Sequence, residues 1–130
     1  MKTAAELNLP QDRRYTNEHV WIKEDGDSYL VGISDYAQDQ LGEVAFVDLP
    51  SLDQTLAAHD EFGGIESVKA VNALYMPVAG KVVEVNSSLE DAPETVNVDC
   101  YGAGWLVRIK ADDPEEIAKL FTADAYRATL

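Results

Sequence analysis

The chain has 130 residues, 46 % of them hydrophobic, and sets 10 Lys or Arg against 24 Asp or Glu, a formal charge of −14 at pH 7. That length and apolar content suit one folded domain with its own core. The acidity excludes a nucleic-acid binder, which needs a basic face, and excludes electrostatic docking on an anionic membrane.

Residues 1–14 read as a leader lying on the surface or partly disordered. Glu6 interrupts any signal-peptide core, and no apolar run approaches the length of a membrane span. From Tyr15 the pattern becomes one of short strands. His19 to Lys23 is a β-rich run, Asp25-Gly26 is a hairpin signal, and Ser28 to Ile33 is the return strand. A short helix follows, with Ser34 as N-cap, Asp35 in its first turn and Gly42 at its C-terminal stop. Glu43 to Leu49 alternates as a half-buried strand that Pro50 ends.

A second strand group spans 60–85. Glu61 to Val68 leads into Lys69 to Asn72, Ala73 to Val78 leads out, Ala79-Gly80 turns, and Lys81 to Val85 is a further strand. Asn86 to Tyr101 is polar and acidic and reads as a long surface connection, open to helical turns. Gly102-Ala103-Gly104 opens a last strand, Trp105 to Lys110. In the tail, Asp113, Pro114 and Glu116 form a capping-box-like start, Ile117, Leu120 and Phe121 form a buried stripe, and 124–130 is a second short helix. Many short strands with glycine punctuation predict a small mainly β sandwich or flattened barrel with short peripheral and C-terminal helices.

Cys100 is the one cysteine, which excludes an internal disulfide and a paired-cysteine metal site. With two histidines beside it, no dedicated zinc site is expected. The compartment reads as reducing and intracellular: bacterial cytoplasm, or the mitochondrial matrix for an organellar chain.

Residues 24–68 hold eleven Asp or Glu and no Lys or Arg, so Lys69 is the one basic side chain between Lys23 and Lys81. It lies between two β-rich runs, at or near a hairpin tip. There its amine is reachable by another enzyme and is a sound anchor for a swinging arm. Spacing alone reads it as a solvated surface lysine.

The surrounding residues resemble a known family. Phe62-Gly63-Gly64-Ile65 followed by Glu66-Ser67-Val68-Lys69-Ala70 resembles the lipoylation site of the glycine cleavage system H proteins. Tyr15 to Trp21, Val31 to Gln38, Leu41 to Pro50, Pro77 to Asn86 and Tyr101 to Val107 resemble further family segments in the same order. The resemblance implies a barrel-sandwich hybrid, the flattened barrel of lipoyl and biotinyl carriers, over a single domain 15–130. It implies lipoate in amide linkage to Lys69, with Glu66, Ser67, Val68 and Ala70 around it. Such a chain is a carried substrate and not a catalyst. Its implied partners are the pyridoxal-phosphate glycine decarboxylase (P protein), the folate-dependent aminomethyltransferase (T protein), dihydrolipoyl dehydrogenase (L protein) and a lipoyl-attaching enzyme. A monomer is expected.

Three positions depart from the family pattern, one of them Tyr36, where the family often has a histidine. The usual His-Glu-Trp is His19-Val20-Trp21, and the Asp after the lipoyl lysine falls on Ala73. In the family those acids line the cleft that holds the loaded arm and its protonated amine, so Glu18, His19, Val20 and Ala73 are the cleft residues to examine here. Glu18 is a substitute carboxylate, although its strand parity matches Val20. A specialised H-like paralogue that relays lipoate to other partners is the alternative.

Other readings rank lower. A biotin carrier places Met on both sides of its lysine, where this chain has Val68 and Ala70. An enzyme would need Cys100 with His19 or His59 as base, and nothing in the spacing joins them. Gly63-Gly64 and Gly102-Ala103-Gly104 read as tight turns, because the Lys-Ser/Thr of a phosphate loop is missing. An unmodified interaction module stays open.

Overall fold

The computed structural model describes residues 2–130. Nine strands run β1 Arg14–Tyr15, β2 Val20–Asp25, β3 Ser28–Ile33, β4 Val44–Asp48, β5 Thr55–Leu56, β6 Glu61–Ser67, β7 Val71–Tyr75, β8 Gly80–Val85 and β9 Val107–Ala111. Three helices are α1 Asp35–Leu41, α2 Thr95–Val98 and α3 Ala123–Arg127. All strand pairs are antiparallel. They form a six-stranded sheet, β1-β2-β3-β9-β8-β5, and a three-stranded sheet, β4-β6-β7. No helix among the described residues is long and apolar enough to cross a membrane.

The first hairpin follows its turn chemistry. Asp25 pairs Ser28 across a two-residue loop, and Gly26 takes φ 69° in its first position. A glycine there gives the loop the twist that the strands need. Helix α1 likewise obeys its caps. Ser34 Oγ accepts from the Ala37 amide, and Gly42 stops the helix at φ 72°.

The core lies between the two sheets. Val20, Ile22, Val31, Val82, Val107 and Ile109 from the larger sheet meet Val44, Val47, Ile65 and Leu74 from the smaller. Strand β2 is buried on both faces, because Trp21 points away from Val20 and Ile22 into a second cluster with Leu7, Leu9, Tyr15, Ala123 and Tyr126. Gly32 faces Trp21 across the ladder, and a β-carbon there would stand 2.6 Å from the indole. The indole N–H donates to the Cys100 carbonyl at 3.1 Å.

That second cluster corrects the expected leader. Leu7 and Leu9 are buried, the Arg13 guanidinium is stacked on Trp21 and Tyr101, and Arg127 donates to the Ala4 and Leu7 carbonyls. Two apolar side chains and an arginine suffice to tie the segment down, because the tail returns beside it: the Tyr15 and Phe121 backbones exchange two hydrogen bonds of 2.9 Å.

Five other expectations change. Residues 86–101 do form helical turns, a 3-10 turn at Ser87–Glu90 and α2, but they are no mere surface connection, since Leu89, Val96 and Cys100 are buried. Gly63 and Gly64 lie inside β6 and not in a turn; a β-carbon on Gly63 would stand 2.2 Å from the Asp48 carbonyl of β4. Gly80 is likewise inside β8, where a β-carbon would stand 2.5 Å from the Lys110 carbonyl. The last strand starts at Val107 and not Trp105. The tail stripe of Ile117, Leu120 and Phe121, the first of them on a 3-10 segment Pro114–Lys119, is half-buried, while Ala123 and Tyr126 of α3 are buried fully.

Candidate functional site

The smaller sheet carries Lys69 at the tip of the β6–β7 hairpin. Its ladder runs through Ile65 with Asn72 and Glu66 with Val71. Ser67, itself buried, ties the turn. Its amide donates to the Ala70 carbonyl at 2.8 Å, and its hydroxyl oxygen accepts from the Lys69 and Ala70 amides at 3.1 and 3.0 Å. The Val68 amide donates to the Glu43 carbonyl at 3.1 Å, fastening the tip to the start of β4. Ser67 therefore holds the turn's shape, whereas Glu66, Val68, Lys69 and Ala70 are exposed.

The Lys69 ammonium has no hydrogen-bond or ion-pair partner among the described residues. Its stem lies across Gly42 at the end of α1, where a β-carbon would stand 2.8 Å from Lys69 Cε. The Gly42 backbone is fixed beneath it: its amide donates to the Gln38 carbonyl, and its own carbonyl accepts from Asn97 Nδ2 at 2.8 Å.

Beside α1 lies a cleft of about 100 Å³. Three of the four cleft residues named from the sequence, Glu18, His19 and Ala73, line it together. Ile33, Leu41, Ile65 and Leu74 give it an apolar wall, with Tyr36 and Ala37 from α1. Val20 does not line it; it is 1 % exposed and packs in the main core.

Glu18 reaches the wall because it precedes β2 and sits in a turn, so strand parity with Val20 does not govern it. Thr16 Oγ1 accepts from the Glu18 and Val20 amides, and His19 adopts φ 67°, which swings the chain into β2. Glu18 Oε1 lies 2.7 Å from Nδ1 of His59. His59 is thus the partner of the one cleft carboxylate; forty-one positions of separation hide that contact from any local pattern.

His19 Nδ1 lies 2.6 Å from the Tyr126 hydroxyl, which lies 2.8 Å from Ser34 Oγ. The imidazole also rests on Tyr36, ring centroids 4.6 Å apart. Burial holds the His19 pKa below its ordinary value. Each histidine is engaged elsewhere, and Cys100 is buried with its thiol pushed up to about 12 by desolvation. The Cys-His nucleophile pairing is therefore not assembled.

Two sheets enclosing one core, with a lone unpaired lysine on a tied hairpin tip, define a barrel-sandwich hybrid of the lipoyl and biotinyl carrier kind. The family model for the glycine cleavage H-protein matches residues 13–130. A glycine cleavage system H protein of Bacteroides thetaiotaomicron is 48 % identical over 124 residues, 95 % of this chain and 98 % of that one. Another, from Chlorobium limicola, is 53 % identical over 123 residues, 93 % of this chain and 96 % of that one. The crystal structure of a glycine cleavage system H protein from Mycobacterium marinum has a TM-score of 0.85 and 38 % identity, covering 93 % of this chain and 98 % of that one. The chain belongs to the glycine cleavage H-protein family.

Proposed function

We propose that this chain carries lipoate on Lys69 and moves the aminomethyl group of glycine from the decarboxylase to the folate-dependent aminomethyltransferase, and electrons to dihydrolipoyl dehydrogenase. The observation that carries the reading is the unpaired Lys69 amine on a tip held by Ser67, with its stem over Gly42. Family membership supports it independently.

The surroundings fit a lipoyl amide. The turn presents the amine outward, Gly42 leaves room for a stem beside α1, and the cleft offers an apolar wall and the carboxylate of Glu18. When bound, the lipoyl group supplies a disulfide that accepts a one-carbon unit and two electrons; this chain provides no electron sink of its own and acts as carrier, not catalyst. Tethering gives the arm a high effective concentration at whichever partner is docked. The acidic surface steers those partners by basic rims, so association weakens with salt.

Ala73 in the cleft wall favours the second reading, an H-like paralogue that relays lipoate, because no carboxylate stands there. Glu18 on the same wall supplies one and favours the first. A monomer acting in the bacterial cytoplasm is part of the same proposal, in keeping with its bacterial relatives.

Intact mass of protein from its native cells, with fragmentation of the Lys69 peptide, tests the reading. A lipoyl adduct on Lys69, lost in Lys69→Arg without loss of stability, is expected. A biotinyl adduct, or an unmodified lysine in cells with working lipoylation, overturns it.

A further inference from the structure

The outer face of the smaller sheet carries large apolar side chains that the core does not use. Phe46 is 54 % exposed and Val71 is 73 % exposed. The strand register aligns them in one row, Phe46 of β4 opposite Glu66 of β6 and Glu66 opposite Val71 of β7. The next row on that face is Asp48, Gly64 and Ala73. Gly64 has no side chain and Ala73 only a methyl, so this row is the floor of a groove of about 290 Å³. Phe46 and Val71 wall it, and Asp48, Glu61 and Glu66 rim it with no Lys or Arg among the lining residues. The groove therefore suits an apolar knob flanked by basic side chains.

We propose that this groove seats the enzyme that acylates Lys69, by a protruding apolar residue set among arginines or lysines. The proposal rests on the lipoyl reading of Lys69. Val71 and Glu66 stand on the very hairpin that carries the lysine. An enzyme that forms a bond at Nζ must bring its active site onto the hairpin and cover this face. Partners of the loaded arm meet its far end and have no such need. The step itself is balanced: the Lys69 nitrogen attacks the carbonyl of an acyl adenylate, the amide C–N bond forms, the acyl–phosphate bond breaks, AMP leaves with the electron pair, and the ammonium gives up two protons.

Gly64 offers a clean probe. A β-carbon there meets only the Asn72 carbonyl at 3.4 Å, and its backbone is ordinary strand. Gly64→Val fills the groove floor and leaves Lys69 untouched; Phe46→Ala removes a wall. Folding is checked by denaturant midpoint, and Val98→Ser, an exposed apolar change on α2, is the control. Wild type, variants and control are incubated as the unmodified full chain with a purified lipoyl-attaching enzyme, lipoate and ATP, and followed by intact mass. Folded Gly64→Val and Phe46→Ala are expected to be acylated about tenfold more slowly at low protein concentration, the scale of one lost interface anchor, with the control at the wild-type rate. Once fully acylated by long incubation, they should serve the decarboxylase and transferase as wild type does. Wild-type acylation rates in both folded variants overturn the proposal, as does normal acylation with impaired service to the downstream enzymes. Failure of wild type itself to be acylated overturns the lipoyl reading instead.

Discussion

Lys69 and Gly42 are in mutual contact: the lysine stem crosses the glycine so closely that a β-carbon would stand 2.8 Å from Cε. Gly42 meets two demands at once, since its φ of 72° also ends α1. Its ψ of −155° puts it in a region that is essentially glycine's alone, so Gly42→Ala is expected to cost about 1–3 kcal/mol of backbone strain in a urea titration. The lysine, being flexible, shifts aside, so acylation of Lys69 should continue. An unchanged urea midpoint would refute the strain argument.

Adjacent glycines in β6 are expected to behave oppositely. A β-carbon on Gly63 would stand 2.2 Å from the Asp48 carbonyl, which is backbone and cannot yield without parting β4 from β6. Gly63→Ala should therefore cost several times what Gly64→Ala does, about 3 kcal/mol or more as overpacking against fixed backbone. Comparison of the two thermal midpoints checks it.

The His19–Tyr126–Ser34 chain sets an acid limit. Burial lowers the His19 pKa, so the fold prefers neutral imidazole. The unfolded chain then binds the proton first. His19's contribution is complete above its unfolded pKa, about 6.5, and is lost as pH falls through that value toward the lower folded one. His19→Asn keeps a residue that tolerates φ 67° and removes the titration. The wild type should lose stability between about pH 7 and 5, and His19→Asn should lose measurably less over that span.

Cys100 sets the alkaline counterpart. Its thiol is buried and pushed up to about 12, so the folded chain holds the proton longer than the unfolded one. Stability from this group is full below the unfolded thiol value, about 8.5, and falls as pH rises above it toward 12. In the native state at pH 8, labelling by a thiol reagent should be limited by opening of the fold and become fast in urea. Fast labelling of native protein would contradict the burial.

Local chemistry was legible where it acts locally. Ser34 and Gly42 bound α1 and Asp25-Gly26 closes a hairpin, because a cap or a two-residue loop needs only its own neighbours. Lys69 at a tip followed from the two runs around it. What stayed hidden depends on distant partners. Gly63 and Gly64 read as a turn because only the β4–β6 register reveals the carbonyl above Gly63. Leu7 and Leu9 show no periodicity, and their burial comes from Tyr15, Trp21 and Tyr126. Val20 and Glu18, expected to share a face, part for a similar reason: the turn at Thr16 to His19 breaks the parity that a continuous strand would impose.

Glu18 and Ala73, on the same cleft wall, make the sharpest test of amine holding. A carboxylate within reach of an ammonium favours the charged form and so delays its loss. Glu18 is the carboxylate lining this cleft, and the His59 ring at 2.7 Å competes for it. In protein loaded with the aminomethyl group, Glu18→Gln should shorten the lifetime of the adduct and Ala73→Asp should lengthen it, each by up to about tenfold, the equivalent of one pKa unit. His59→Gln should lengthen it, since the ring no longer occupies Glu18 in the variant. Release of ammonia against time measures all three. Equal lifetimes in Glu18→Gln and wild type would remove Glu18 from the holding role and leave the cleft with apolar contacts alone.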